Sequence, residues 1–233
     1  MTAALHTPTS GLFEQWWQQQ GDWVEEPNTR RGGTSGVQRI RTAEGMLLYA
    51  KRQVGHVYHS PLHPFGRPTV LREVKALQRF KSLGINVPQV VYCGAERDAD
   101  RNWRALLVTA ELKGFIEIDH WYANGGRERH GEVFHQQLLQ GIGAMIACMN
   151  NARWQHNCLY SKHIFIRVEG EGSEATFEVG LLDLEKSRRR LTRQQAAGHD
   201  LRQLKRHSSW SEADWQQVIY GHSTAFGSAI KGL

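Results

Sequence analysis

The chain's apolar positions fall into short strand-like runs first and long helical faces later. Residues 11–20, GLFEQWWQQQ, place Leu12, Phe13, Trp16 and Trp17 at helical spacing. Trp23 and Val24 begin a weak strand. Three glycines and two hydroxyl residues in 30–36, RRGGTSG, predict a turn. Residues 37–42 alternate apolar and polar, 43–45 supply a hairpin turn, and 46–52 return as a more buried strand. The segment 56–67, rich in His, Pro and Gly, reads as a loop. Thr69 is a candidate N-cap for a helix carrying Val70, Val74, Leu77 and Phe80 and closing at Gly84. Residues 87–92 and 104–112 read as two strands joined by a polar turn at 97–102.

The second half changes period. Residues 132–151 carry Phe134, Leu138, Leu139, Ile142, Met145, Ile146 and Met149 along one helical face. A polar loop follows at 154–163, then strands at 164–168 and 177–183 around a Gly/Glu-rich turn at 169–173. Helices at 194–205 and 211–226 complete the chain. The pattern predicts an α+β protein with its division near 111–114.

Composition narrows the class. At 233 residues the chain is one large domain or two small lobes sharing a core. Lys plus Arg is 29 and Asp plus Glu is 23, a net charge of +6 that suits anionic ligands without marking a nucleic-acid binder. No apolar run approaches the length of a membrane span, and the first twenty residues lack the order of a signal peptide. Cys93, Cys148 and Cys158 are three and lack CxxC spacing, which argues against a disulfide framework or structural zinc and for a reducing cytoplasmic setting. Cys93 and Cys148 read as small buried hydrophobes. Trp16, Trp17, Trp210 and Trp215 read as packing residues, not a stacking platform for nucleic acid. His56, His59 and His63 lack an acidic or cysteine partner, so a loop is favoured over a metal site.

Five features carry chemistry when taken in order. Gly32, Gly33, Ser35 and Gly36 can bring backbone N–H groups to phosphate oxygens, although many glycine-rich hairpins are only hairpins. Lys51 sits in an apolar strand, and Glu73 in the next helix is the counter-charge a buried lysine needs. The loop His156–His163, HNCLYSKH, precedes a strand. Asp183 ends another apolar strand, a suitable position for a magnesium ligand.

This order, with HNCLYSKHIFI and LLDLEKSRRR as the specific stretches, resembles the protein-kinase-like lipopolysaccharide kinase family of WaaP/InaA type, its InaA branch most closely, over about residues 23–206. The resemblance implies a two-lobed kinase-like fold: residues 1–112 as an N-lobe with a small antiparallel sheet, one main helix and an N-terminal helical extension, and 113–233 as a short, mostly helical C-lobe. ATP and Mg²⁺ would bind between them. Lys51 would hold the α- and β-phosphates, with Glu73 orienting it. Residues 109–112, ending in Glu111 and Leu112, would form the hinge that reads adenine. Asp183 would bind magnesium, and His163 would stand where protein kinases place a metal-binding Asn. His156 would support the loop and Asp200 would tether it.

The same alignment puts Cys158 where a catalytic Asp belongs. A thiol is a poor base at neutral pH. Three readings follow: His163 or a nearby carboxylate replaces the base, Cys158 is redox-sensitive, or the protein binds nucleotide and barely turns over. The implied function is transfer of the ATP γ-phosphate to a hydroxyl of a lipopolysaccharide core sugar, a heptose, at the cytosolic side of the inner membrane. Arg188, Arg189, Arg190 and Arg193 could receive an acidic acceptor such as a phosphorylated glycan, or form a solvated face. The alternatives are a nucleotide-binding pseudokinase acting in a stress response and a small atypical protein kinase, the latter disfavoured by the short C-terminal half.

Overall fold

A computed structural model describes residues 10–30 and 32–230 of the chain. Arg31 of the predicted turn, and residues 1–9 of the segment read for a signal peptide, lie outside the described residues. The described chain separates into two compact units, one running through Lys75 and including Pro88–Glu111, the other comprising Ala76–Val87 and everything from Leu112 on.

The first unit begins with helix α1 (Ser10–Gln18) and continues with strands β1 (Asp22–Arg30), β2 (Gly33–Arg41) and β3 (Leu47–Val54). A hairpin of β4 (Val57–Ser60) and β5 (His63–Pro68) leads into α2 (Val70–Ser82), whose first turns belong here. Strands β6 (Val90–Arg97) and β7 (Trp103–Ala110) complete it. Five strands form one antiparallel sheet in the order β1-β2-β3-β7-β6. Strand alternation gives the sheet two faces. Leu48 and Ala50 of β3 join Phe13, Ile40, Leu106 and Val108 in a core covered by Trp16, Trp17 and Tyr92. Arg52, on the same face, donates to the Trp17 and Gln19 carbonyls and so closes the end of α1.

The second unit contains β8 (Ile116–Glu117), α3 (Ile118–Ala123), α4 (Gly126–Asn151), β9 (Trp154–Gln155), β10 (Ile164–Glu169), β11 (Thr176–Leu181), β12 (Arg188–Arg189), α5 (Arg193–Arg206) and α6 (Glu212–Phe226). Strands β11, β10 and β8 form a small antiparallel sheet, and β12 pairs with β9. Helices α4 and α6 pack through glycine. A Cβ on Gly143 would stand 2.1 Å from the Val218 carbonyl oxygen, and one on Gly221 would stand 2.1 Å from that of Gln140. No described helix is long and apolar enough to cross a membrane.

Four expectations are corrected. The glycine stretch is mostly strand: only Gly32 turns, at φ 73°, while Gly33 packs on the backbone of Gly55 and His56 and Gly36 on Trp23 and Pro27. The predicted 56–67 loop is the β4–β5 hairpin; its Pro and His content hid a pairing that runs from Val57↔Pro68 to Ser60↔His63. Helix α3 was missed because six residues, IDHWYA, are too short to show a period, and the first turn of α4 because Gly126 and Gly131 break its apolar pattern. Helix α4 kinks at Gly131 (φ 80°, ψ 174°), and its regular run starts at Glu132, where the pattern begins. Cys93 and Cys148 are half-buried instead of fully buried, and all three cysteines are free.

Candidate functional site

In the first unit the relevant geometry follows from β3. Lys51 and Gln53 share the face opposite the α1 core. Gln53 Oε1 accepts the Thr69 hydroxyl at 3.0 Å and the Val70 N–H at 3.2 Å, fixing the start of α2. The candidate cap Thr69 thus begins the helix, but its hydroxyl is engaged by Gln53. One turn further, Glu73 Oε2 meets Lys51 Nζ at 2.9 Å, with both side chains largely removed from water (18% and 11% exposed). Glu73 lies in the first turn of α2, where the helix dipole favours a carboxylate. Of the other candidates, Ser35 Oγ accepts Gln53 Nε2 at 3.4 Å. Glu111 is exposed and its N–H donates to the Leu47 carbonyl at 2.9 Å, while Leu112 begins the second unit's share of the chain and packs near Gly180.

The second unit assembles the loop predicted at 156–163. Buried Asp200 on α5 accepts the His156 N–H at 2.8 Å and the Asn157 N–H at 3.0 Å, and the Asn150 amide at 3.2 Å. His156 donates from Nε2 to the Leu182 carbonyl at 2.9 Å, and burial holds its pKa below the ordinary value. With Asn157 at φ 69°, the chain then turns to buried Cys158.

His163 is stacked between His156 (5.8 Å) and Tyr160 (5.4 Å). Its Nδ1 donates to the Cys158 carbonyl at 2.7 Å, so in the neutral ring the Nε2 lone pair points outward. That Nε2 faces Asp183 Oδ2 at 3.5 Å. Two electron-pair donors so placed call for a proton or a cation to join them. Asp183 reaches this position just past β11 in the left-handed conformation, φ 56° and ψ 57°. Ligand atoms of Cys158, His163 and Asp183 lie within 4.8 Å of one another. Lys186 Nζ is 3.7 Å from Cys158 Sγ, and a side-chain hydrogen bond with Cys158, above all, pushes the Tyr160 phenol pKa up. Asp183 suits a hard divalent cation, His163 is a borderline nitrogen ligand that can ligate a metal or donate to phosphate, and the Cys158 thiol is a poor magnesium ligand.

The basic run divides. Arg188 donates to Asn157 Oδ1 at 3.1 Å. Arg193 donates to Asn151 Oδ1 at 2.9 Å and to the Phe226 carbonyl at 2.8 Å, and lies over the Phe226 ring, which makes it a structural residue. Arg189 and Arg190 instead line a cavity of about 500 Å³ with Leu191, Gln195 and Arg153. Arg153, held at φ 64°, belongs to no motif, whereas Tyr160 and Lys186 lie inside the two specific stretches with no role assigned by pattern; only the fold brings these two to Cys158. His56, His59 and His63 do not form a cluster able to share an ion among the described residues.

Known proteins that resemble this chain support a family assignment. Residues 14–222 match the lipopolysaccharide kinase (Kdo/WaaP) family. Protein InaA of Escherichia coli (strain K12) is 43% identical over 207 residues, which cover 88% of this chain and 93% of that protein. Among solved structures, WaaP in complex with acyl carrier protein matches with a TM-score of 0.68 at 18% identity, over 96% of this chain and 89% of that one, a likeness of fold.

Proposed function

The chain belongs to the lipopolysaccharide kinase (Kdo/WaaP) family, and from that premise we propose that it transfers the γ-phosphate of ATP to a hydroxyl of a lipopolysaccharide core sugar, a heptose. In this reading residues 1–112 and 113–233 are the two lobes of one kinase-like domain. The observation that carries it is the pair of preformed elements: the Lys51–Glu73 ion pair at 2.9 Å, and the His163–Asp183 pair, whose Nε2 and Oδ2 face each other at 3.5 Å. Lys51 holds the α- and β-phosphates, and Glu73 keeps its ammonium oriented. Gly32, Gly33, Ser35 and Gly36 lie beside the phosphates, and Glu111 and Leu112 beside the adenine.

Asp183 and His163 are the residues that would hold Mg²⁺. The ion would supply charge neutralisation for the phosphates. His163 is fixed for this by the Cys158 carbonyl and by the two rings that sandwich it. Cys158 stands beside the acceptor hydroxyl in place of a carboxylate. Phosphoryl transfer depends chiefly on positioning and electrostatics, so the thiol slows the reaction without abolishing it. The phosphorylated part of the acceptor is received by Arg153, Arg189 and Arg190. The work is done at the cytosolic face of the inner membrane, whose anionic surface suits the charge of +6.

Cys158 favours a second reading, a pseudokinase that binds nucleotide and signals in a stress response. Thermal shifts with ATP, with and without Mg²⁺, followed by ³²P transfer to deacylated lipopolysaccharide core, separate the two. Magnesium-dependent stabilisation with transfer supports the kinase; stabilisation without transfer supports the second reading. No nucleotide effect at all sinks both.

A further inference from the structure

Away from the loop of Cys158, the second unit gathers another set of ligating groups. Glu132 and His135 are three residues apart on one face of α4, immediately after the Gly131 kink. Asp214 faces them from the first turn of α6. We propose that Glu132, His135 and Asp214 form a binding site for a divalent transition-metal cation of the zinc type, which clamps α4 to α6.

The His135 side chain has no solvent exposure, and its Nδ1 has no hydrogen-bond partner. That nitrogen stands 3.8 Å from Glu132 Oε1 and 3.7 Å from Asp214 Oδ1. These separations are too long for N–H···O bonds. They approach the spacing of about 3.4 Å between ligand atoms held tetrahedrally at about 2.1 Å from zinc. Ligand atoms of all three residues lie within 4.8 Å of one another.

The surrounding groups hold the carboxylates in that orientation. Arg127 donates from Nε and Nη2 to Glu132 Oε2 at 3.1 and 2.8 Å, and from Nη1 to Asp214 Oδ2 at 3.3 Å. The Ser211 N–H and hydroxyl also donate to Asp214 Oδ2, at 3.2 and 2.8 Å. The outer oxygens are therefore engaged, and Oε1 and Oδ1 are turned toward Nδ1; Gln136 makes only a long contact, 3.5 Å, to Oε1. Two carboxylates and one guanidinium leave a local charge of about −1, which favours a dication.

The far side of the ring completes the arrangement. Tyr122 Oη is 2.8 Å from His135 Nε2 and accepts the Trp210 indole N–H at 2.9 Å. Its second lone pair can accept the Nε2 proton, which leaves Nδ1 free to ligate. Burial keeps the imidazole pKa below its ordinary value, so the ring is neutral at neutral pH. Glu132 is about half exposed and gives the ion a way in. Imidazole with two carboxylates is a zinc-type set with room for water.

The proposal is independent of the kinase reading. The test uses the full chain stripped with chelator, dialysed against dilute Zn²⁺ and assayed for zinc per chain. Glu132→Gln is expected to lose one equivalent relative to the natural chain. Cys158→Ser is expected to retain that equivalent, which separates it from any ion at the thiol cluster. In Cys158→Ser, Co²⁺ should give weak visible absorption without a thiolate band, and His135→Gln in that background should remove it. Glu132 is exposed, so Glu132→Gln decides the matter even where a His135 variant fails to fold. Equal zinc in Glu132→Gln and the natural chain, or no zinc bound by the natural chain, overturns the proposal.

Discussion

Cys158 is buried, with Lys186 Nζ 3.7 Å from its sulfur and its own carbonyl fixing His163. The backbone at this position thus orients the imidazole whatever the side chain, and the side chain alone sets the base chemistry. Cys158→Asp should therefore preserve His163 and raise phosphate transfer to the acceptor by about ten-fold or more, since a positioned base contributes about 10²–10⁴. An unchanged or lower rate would show that the base lies elsewhere. Asp183 is a different case, because its Oδ2 faces a nitrogen lone pair. Asp183→Ala should remove the Mg²⁺-dependent part of the ATP thermal shift, and a full shift in that variant rules out Asp183 as the ligand. Both residues were legible in the sequence as members of ordered motifs. The tautomer of His163 was not, because it depends on a carbonyl five residues away that only the folded loop brings within 2.7 Å.

At the scale of elements, the loop at 156–163 is held from beneath by a buried polar chain. His222 of α6 contacts Asn150 of α4 at 3.3 Å, and Asn150 donates to Asp200 of α5, which carries the loop's N–H groups. Burial lowers the His222 pKa from 6.5 to about 4. The folded protein therefore binds fewer protons than the unfolded chain between these values. The stability linked to His222 is fully present above about pH 6.5 and is lost as pH falls toward 4, by about 3 kcal/mol in all. Urea midpoints measured from pH 7.5 to 4.5 should fall more steeply for the natural chain than for His222→Gln; parallel curves would refute the linkage. The α4–α6 contact is as restrictive. Gly221→Ala would force a methyl group to within 2.1 Å of the Gln140 carbonyl oxygen, and should cost about 1–3 kcal/mol through overpacking, read as a lower Tm. An unchanged Tm would mean the helices separate freely. Helices α5 and α6 and the regular run of α4 were legible because their apolar period is long; the β4–β5 hairpin was not, because proline and glycine interrupt it, nor was α3, whose six residues are too few to show a period.

For the molecule as a whole, the charge of +6 is a sum whose useful part only folding identifies. Arg188 and Arg193 are engaged with Asn157 and with Asn151 and Phe226, whereas Arg189 and Arg190 share a cavity with Arg153. Binding of deacylated, phosphorylated core glycan should weaken by roughly ten-fold between 0.05 and 0.5 M salt, because the Debye length shrinks several-fold. Arg189→Ala with Arg190→Ala should flatten that dependence in calorimetry, and an unaltered slope would remove the cavity from consideration. The sequence by itself pointed to the family and to the order of the longer strands and helices, and it singled out Lys51, Glu73, His163 and Asp183 as candidates, because local periodicity and motif spacing carry these. Tertiary structure decided that the glycines of β2 serve close packing more than turning, and which arginines face a cavity. It also brought Glu132, His135 and Asp214 together across some eighty residues of chain. Pairwise distances between segments so far apart depend on how helices and loops pack, and no local pattern of residues encodes them.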